Sequence, residues 1–416
     1  MSAVVRLQNR EWLNAPALAR ALSILNGGGE EARVVGGAAR NALMGLPLSD
    51  VDIATTAPPD EVVRRATVDG LKAVPTGIDH GTVTLVVDGT PFEVTTLRQD
   101  VETFGRKARV AFGRDWKSDA ERRDFTMNAL SISPDGMVHD YVNGLADLEK
   151  RRVRFIGDPT RRIAEDYLRI LRFFRFHASY AHGPPDPAGL HACIVARDGL
   201  RGLSRERVRA ELMKLLVAPF AVATLRVMAE AGFTDLLLGG VALLASFAGM
   251  AKVEDMVGAA PDAVRRLGAL GVFIAEDAER LREKLRLFNV EYERLASMAE
   301  RWWRVSPALG ESGAQALLYR LGPERYLDRV LIAWTRAPQG TTDAAWHALA
   351  TLPTRWIAPR FPLKSADLTG RGVPRGPALG IALRDAEEAW IAAGFPQDKV
   401  ALDRLADDAA RPAKVL

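Results

Sequence analysis

Residues 32–55 read ARVVGGAARNALMGLPLSDVDIAT, and the aspartates near the end of the run, Asp50 and Asp52, decide how the chain is to be understood. VDIAT is short and β-branched, bounded by the turn-prone LPLSD and APPD, which reads as a strand. Side chains alternate faces along a strand, so Asp50 and Asp52 would point the same way and share one or two Mg²⁺ ions. A DxD alone is most often a solvated turn, so its surroundings must decide. Ten residues upstream, GGAAR (Gly36, Gly37, Ala38, Ala39, Arg40) joins the strand ARVV to a helix that ends at MGLP. Glycines let a backbone approach phosphate, a helix N-terminus offers free N–H groups and a positive dipole end, and Arg40 adds a charge. Gly-Gly before a helix is commonly just a turn. Beside Asp50 and Asp52 it reads as a triphosphate cradle, because Mg²⁺ is held by phosphates and carboxylates together. Glu93, in the strand-like PFEVTTLR, is the candidate third metal ligand, with a structural role equally open. The chemistry indicated is metal-dependent nucleotidyl transfer.

With 416 residues the chain exceeds one core, and 48% hydrophobic with 26% charged residues is ordinary globular composition. Two or more domains are expected. Cys193 is the only cysteine, so an intrachain disulfide and a Cys-ligated zinc site are excluded, which fits a reducing cytosol. No apolar run of about 18 residues and no charged-then-apolar leader at MSAVVRLQNREW are present. A cytoplasmic protein is expected, with no membrane association and no obligate protein partner. A net charge of +4 with pI near 9.2 is mild. Its distribution says more, since Lys150 to Arg175 holds nine basic residues against three acidic ones. Such an excess matches a polyanion, triphosphate or RNA backbone, the alternative being a solvated helix face.

The pattern changes near residue 150. Before it, strand-like ARVVGG, VDIAT, GTVTLVV and PFEVTTL alternate with helical stretches in a compact α/β unit. After it, RIAEDYLRILRFFRFHASY, SRERVRAELMKLLV, the stretch from Phe220 to Gly232, and RLREKLRLFNVEYERLASMAERWW all read as helices at period 3.6. AHGPPDPAGL and LTGRGVPRGPALG interrupt them.

Two further motifs carry chemistry. In RRDFTMNAL (122–130) Arg123 is placed to bind phosphate and Asp124 to accept from a ribose hydroxyl. Asn128 lies four residues on, on the same helical face; the plainer reading is a helix start with Asp124 as N-cap. In EDYLRILR (165–172) Asp166, Arg169 and Arg172 follow i, i+3, i+6 and form a stripe on a helix. A carboxylate beside a guanidinium makes a template for a base edge. Cytosine and adenine present an amino donor to Asp166 and a ring acceptor to Arg169, whereas uracil and guanine turn a carbonyl toward the carboxylate. That mismatch costs about 1–3 kcal/mol, predicting CTP and ATP over UTP and GTP. An intrahelical salt bridge is the bland alternative.

GGAARNALMG, LSDVDIAT, TGIDHGTVTLVVDGTPFEVTTLR, DVETFGRKARVAFGRDW, RRDFTMNAL, DYVNGLADLEKRRVRFIGDPTRRIAEDYLRILRFFRF and LSRERVRAEL span about residues 33–213. Together they make the chain resemble the class II tRNA nucleotidyltransferase and poly(A) polymerase family, particularly bacterial CCA-adding enzymes. The resemblance implies an α+β fold, with a polymerase-β-like nucleotidyltransferase head of mixed sheet and helices (1–150). An elongated all-α neck (151–220, base recognition), body (221–330) and tail (331–416, tRNA binding) would follow. It implies template-independent addition of CCA to the tRNA 3′ end from CTP and ATP, with Mg²⁺ on Asp50 and Asp52 and pyrophosphate released. Asp166 and Arg169 would read the base, Glu165 would position Arg169, and Arg123, Asp124, Asn128 and Arg172 would contact sugar or phosphates. The basic loop from about Asp100 to Trp116 would be the lever that switches C to A. Ile163 and Ala164, and Tyr141 and Val142, depart from the family pattern as packing changes, and the C-terminal half matches loosely, chiefly through DLTGRGVPRGPALGIALRDAEEAWIAAGF. A poly(A) polymerase and a catalytically inactive RNA-binding protein on the same scaffold are the alternatives.

Overall fold

The computed structural model describes residues 5–48, 50–77, 81–104, 107–337 and 343–411. The chain divides into two compact units, Met1–Phe233 and Thr234–Leu416.

The first unit is built on an eight-stranded mixed sheet in the order β1-β10-β9-β2-β3-β6-β5-β4. These strands are β1 (Val5–Arg6), β2 (Ala32–Val35), β3 (Asp52–Thr55), β4 (Lys72–Gly77), β5 (Thr82–Val87), β6 (Thr90–Thr96), β9 (Ser131–Ile132) and β10 (Met137–His139). β7 (Arg98–Phe104) and β8 (Lys107–Phe112) form a separate antiparallel ribbon. β2 is buried at every position, while β5 alternates, turning Val83, Leu85 and Val87 inward. Onto β5 pack α1 (Pro16–Leu25) and α3 (Pro59–Val68), through an apolar stripe that includes Leu18, Leu22, Leu25, Val62 and Ala66. The only parallel pairing among the described strands is β3 with β6, and it lays Asp52 beside Glu93.

α2 (Gly36–Met44) owes both its ends to glycine, Gly36 at φ 66° and Gly45 at φ 65°, a left-handed backbone that only a residue without Cβ adopts freely. This turn explains a departure from the expected strand. β2 gives out at Val35, whose partner is Asp52, so Val51 and Asp50 have no strand to pair with and lie before β3. Asp50 therefore does not share a pleat face with Asp52. The expected loop from Asp100 to Trp116 is largely the β7–β8 ribbon, and its turn residues 105 and 106 lie outside the described residues.

α4 (Trp116–Glu121) leads to a 3₁₀ turn at Thr126–Asn128, and α5 (Gly144–Glu149) closes the sheet-bearing part. Then come α6 (Pro159–Glu165), α7 (Leu168–Tyr180), α8 (Pro187–Val195), α9 (Arg205–Leu216) and α10 (Ala221–Glu230). The phenylalanines of α7 form the join. Phe173 stacks on Phe155 at 5.4 Å, Phe176 meets Phe125 at 5.2 Å, and Phe174 meets Phe233 edge-on at 4.9 Å. Each such ring withdraws enough apolar area to contribute about 1.5–3 kcal/mol. α7 is thereby fixed against the turn that carries Arg123 and Asp124.

The second unit is helical throughout its described residues, with Leu244–Met256, Ala263–Gly271, Asn289–Ala299 and the long Gly310–Thr335 among its elements. The long helix is kinked at Gly322, φ 73°, followed by Pro323. RLREKLRLFNVEYERLASMAERWW, expected as one helix, breaks between Leu285 and Asn289, where Arg286 is left-handed and Glu291 accepts from the Phe288 N–H at 2.7 Å. Inside, Asp328 accepts from Arg265 at 2.8 Å and from Arg294 at 2.7 Å, and Glu254 from Arg265 at 3.0 Å and Arg266 at 2.7 Å. No helix among the described residues is long and apolar enough to cross a membrane.

Candidate active site

Gly36 stands between two charged groups. A Cβ built on it would lie 3.5 Å from Arg123 Nη1 and 4.0 Å from Asp52 Oδ2, and one on Gly37 would lie 3.6 Å from Arg40 Nη2. The β2–α2 turn thus brings bare backbone, the free N–H groups of the α2 N-terminus, a carboxylate and a guanidinium to one place.

Asp52 carries the electrostatic mark of that place. Burial raises its pKa above the ordinary aspartate value, Glu93 and Asp50 raise it further, and Arg123 opposes them. Three carboxylates close enough to repel are where a cation lowers the energy. Among the described residues, however, no group of three or more Asp, Glu, His or Cys is arranged as a metal cage. Asp50, Asp52 and Glu93 do not converge as one. A donor set of two carboxylates still fits an ion that takes its remaining oxygens from substrate phosphates and water.

Beside this turn lies a cavity of about 460 Å³ lined by Gly36, Gly37, Arg40, Arg122, Arg123, Asp124, Asn128, Asp166, Arg169, Arg172 and Phe176. The phosphate-cradle, RRDFTMNAL and EDYLRILR residues singled out in the sequence, more than 120 positions apart at the extremes, meet in it. Glu165 faces the neighbouring cavity of about 580 Å³ instead, from which it supports Arg169.

The cavity wall is a set of interlocked ion pairs. Buried Asp119 on α4 holds Arg122 at 2.5 Å and Arg123 at 3.0 Å. Asp124 accepts from Arg172 Nε at 2.6 Å, from Asn128 Nδ2 at 3.2 Å and from the Phe125 N–H at 2.9 Å. Arg172 also faces Glu211 of α9 at 3.9 Å, and Glu211 pairs with Arg175 at 2.6 Å. Arg40 is less free than expected. It is buried, donates to Asn128 Oδ1 at 2.6 Å and Tyr180 Oη at 2.7 Å, and its guanidinium carbon lies 3.9 Å from the Tyr180 ring centroid.

Two local expectations are corrected. RRDFTMNAL does not open an α-helix, since Phe125 bridges to Phe155 and Thr126–Asn128 is a 3₁₀ turn leading into β9. Asp124 and Asn128 meet through that turn. EDYLRILR is not one helix either: α6 stops at Glu165, and Asp166 is extended at φ −156°, ψ 108°. The Asp166 carboxylate explains the break, because Oδ1 accepts the Leu168 N–H at 3.1 Å and so competes with helical pairing at the start of α7. Oδ2 accepts from Arg207 Nη2 of α9 at 2.6 Å.

Arg122, Phe176, Arg207 and Glu211 belong to the site's lining or support and were not singled out. Arg207 and Glu211 sit in LSRERVRAEL, but nothing in local spacing ties α9 to α7. Tyr167, after Asp166, has a support of its own: a Cβ on Gly199 would lie 2.0 Å from Tyr167 Cδ1. Gly199→Ala must displace the ring. It is expected to destabilise the protein by about 1–3 kcal/mol, read as a lowered Tm, and an unchanged Tm would count against the packing.

The Poly A polymerase head domain family model matches residues 32–154. The family model for the probable RNA and SrmB-binding site of polymerase A matches residues 186–243. Human mitochondrial CCA tRNA nucleotidyltransferase 1 is 33% identical over 380 residues, covering 89% of this chain and 85% of that protein. The CCA-adding enzyme of Limosilactobacillus fermentum is 32% identical over 364 residues, covering 87% of this chain and 89% of that protein. The crystal structure of the Bacillus stearothermophilus CCA-adding enzyme in complex with CTP superposes with a TM-score of 0.75 at 26% identity, covering 94% of this chain and 96% of that one.

Proposed function

Since the chain belongs to the family of CCA-adding tRNA nucleotidyltransferases, we propose that it builds CCA on the tRNA 3′ end from CTP and ATP and releases pyrophosphate. The observation that carries this reading is the one cavity in which the β2–α2 turn, the arginines at 122 and 123, and the Asp166/Arg169 pair all meet. A triphosphate laid along it has its phosphates at Gly36 and Arg123 and its base at Asp166.

Asp50 and Asp52 would hold Mg²⁺, whose charge favours attack by the RNA 3′-hydroxyl on the α-phosphorus and neutralises the departing pyrophosphate. Glu93 stands in register beside Asp52 and takes part through its charge, as a ligand or as a neighbour that sharpens cation affinity. Gly36 and Gly37 let the α2 N–H groups approach the phosphates, and Arg123 and Arg172 supply donors that do not depend on base identity. Arg40 serves by fixing Asn128, and Asp124, whose two oxygens already take the Arg172 guanidinium, the Asn128 amide and the Phe125 N–H, serves by holding those donors in place along the sugar.

Base choice falls to Asp166 and Arg169. Each Asp166 oxygen already accepts one protein donor, which pins the carboxylate while leaving a lone pair for an exocyclic amino group. Arg169, held by Glu165 and by the Arg162 carbonyl, donates to the neighbouring ring acceptor. Asp166→Ala is expected to narrow the preference for CTP over UTP by about 5- to 150-fold, the equivalent of a 1–3 kcal/mol buried mismatch, in competition assays. Unchanged rejection of UTP and GTP would remove Asp166 from the template.

The residue pattern suits the cytoplasm, where the buried thiol of Cys193 stays reduced. The function is tested with a tRNA transcript lacking its 3′ end, given labelled CTP and ATP separately and together. Arrest after three added residues supports CCA addition, and an extended A tail would point to poly(A) synthesis.

A further inference from the structure

Between the two cavities runs one guanidinium. Arg162, on α6 with its side chain 12% exposed, donates from Nη1 to Glu165 Oε2 at 2.6 Å and from Nη2 to the main-chain carbonyls of both Arg122 and Arg123. Its own carbonyl accepts from Arg169 Nη1 at 2.6 Å. The same Glu165 oxygen also takes the Arg169 guanidinium. Arg122 and Arg123 are in turn fixed through their side chains to Asp119, and Arg123 is the cation that opposes the raised pKa of Asp52. One side chain therefore bridges the segment that meets the phosphates and the pair that meets the base.

We infer that Arg162 is a positioning residue which sets the distance between the phosphate-binding turn and the Asp166/Arg169 base reader, so that base fit is felt at the reacting phosphorus. The inference rests on the assignment of Asp166 and Arg169 to the base. A planar fork suits the task, because it reaches a carboxylate and two carbonyls at once, whereas an ammonium acts as a point charge. The arrangement is poor as a device for stability alone. Arg162 is half-buried beside the like charge of Arg169, and its buried Nε has no hydrogen-bond partner among the described residues. Such a cost at a cavity wall fits a group kept for where it holds its neighbours.

The test compares the intact enzyme, Arg162→Lys, Arg162→Gln and, as a control, Arg169→Ala, on a tRNA transcript lacking its 3′ end with each of the four nucleoside triphosphates. Arg162→Lys is expected to lower kcat for CTP on the order of 10²-fold with a smaller change in KM, as displacement by about an ångström does. It should also narrow the CTP-over-UTP preference by about tenfold. Arg162→Gln, which retains one amide donor, should go further on both counts. A uniform rate loss with preference intact, while Arg169→Ala has lost it, would overturn the inference and leave the proposed function standing. Preference intact in Arg169→Ala as well would overturn the base assignment, and the role of Arg162 with it. Melting curves monitor the fold: if the lysine variant unfolds, the glutamine variant carries the comparison. Unfolding of both would make Arg162 a structural residue.

Discussion

Asp52→Ala is expected to lower nucleotide addition by about 10³-fold or more while tRNA binding and the fold persist. The rate term follows from the cation-holding role proposed for Asp52. A divalent ion at a phosphoryl centre contributes several kcal/mol of transition-state stabilisation, and each 1.4 kcal/mol is about tenfold. The stability term has the opposite sign from most substitutions of a partly buried charge. Asp52 is desolvated and repelled by Glu93 and Asp50, so its pKa is raised, and alanine relieves that repulsion. The variant's Tm should equal or exceed that of the parent. Mg²⁺ should raise the Tm of the parent by binding its native state and have less effect on the variant. Asp50→Ala should lose addition comparably. Single-turnover incorporation of labelled CTP, filter binding of tRNA and melting curves with and without Mg²⁺ decide the matter. Undiminished turnover in both variants would displace the metal assignment.

The sequence made the site's membership legible because its motifs are local and dense. GGAAR, RRDFTMNAL and EDYLRILR each announce phosphate, sugar or base chemistry from residue type alone, and the cavity gathers them. A compact head of strands and helices was legible too, from β-branched runs alternating with helical ones, while its mixed sheet followed only from the family resemblance. What spacing could not deliver was geometry that depends on a competing partner. Asp50 falls outside β3 because β2 ends at Val35, where Gly36 turns the chain, a fact about the neighbouring strand. EDYLRILR has helical periodicity throughout, yet the Asp166 side chain takes the Leu168 N–H and Arg207 takes the other oxygen. Period 3.6 records which faces are apolar, and a polar side chain that captures a backbone donor leaves no trace in it. Arg40 shows the same limit. Its charge suggested phosphate, but Asn128 and Tyr180, 88 and 140 residues away, claim its N–H groups.

Asp124→Ala is expected to destabilise the first unit by about 1–3 kcal/mol, because truncating one partner of a half-buried ion pair leaves the hydrogen bonds of the other unmade. The Asp124 side chain is 11% exposed, and its loss leaves Arg172 facing Glu211 only at 3.9 Å and frees the Asn128 amide. Those groups line the cavity, so activity should fall as well. Asp124→Asn separates the two effects. It keeps the shape and one acceptor for the Phe125 N–H but removes the charge that offsets Arg172, so it should recover part of the stability and little of the activity. The pH dependence follows with a definite sign. Burial pushes the Asp124 pKa up, but Arg172 together with hydrogen bonds from Asn128 and the Phe125 N–H outweighs it, and the folded-state value lies below the ordinary one; Asp119, between Arg122 and Arg123, behaves likewise. A depressed carboxylate contributes its full stability above the unfolded-state pKa, about 3.9, and loses it as pH falls toward the folded value. Denaturant midpoints between pH 7 and 5 should hardly move on account of these groups and should then drop below pH 4. In Asp124→Ala the acid-side drop should be shallower by the Asp124 share. An equal drop in parent and variant would mean that Asp124 does not carry the pairing with Arg172 into the folded state's energetics, and the activity loss would then need another cause.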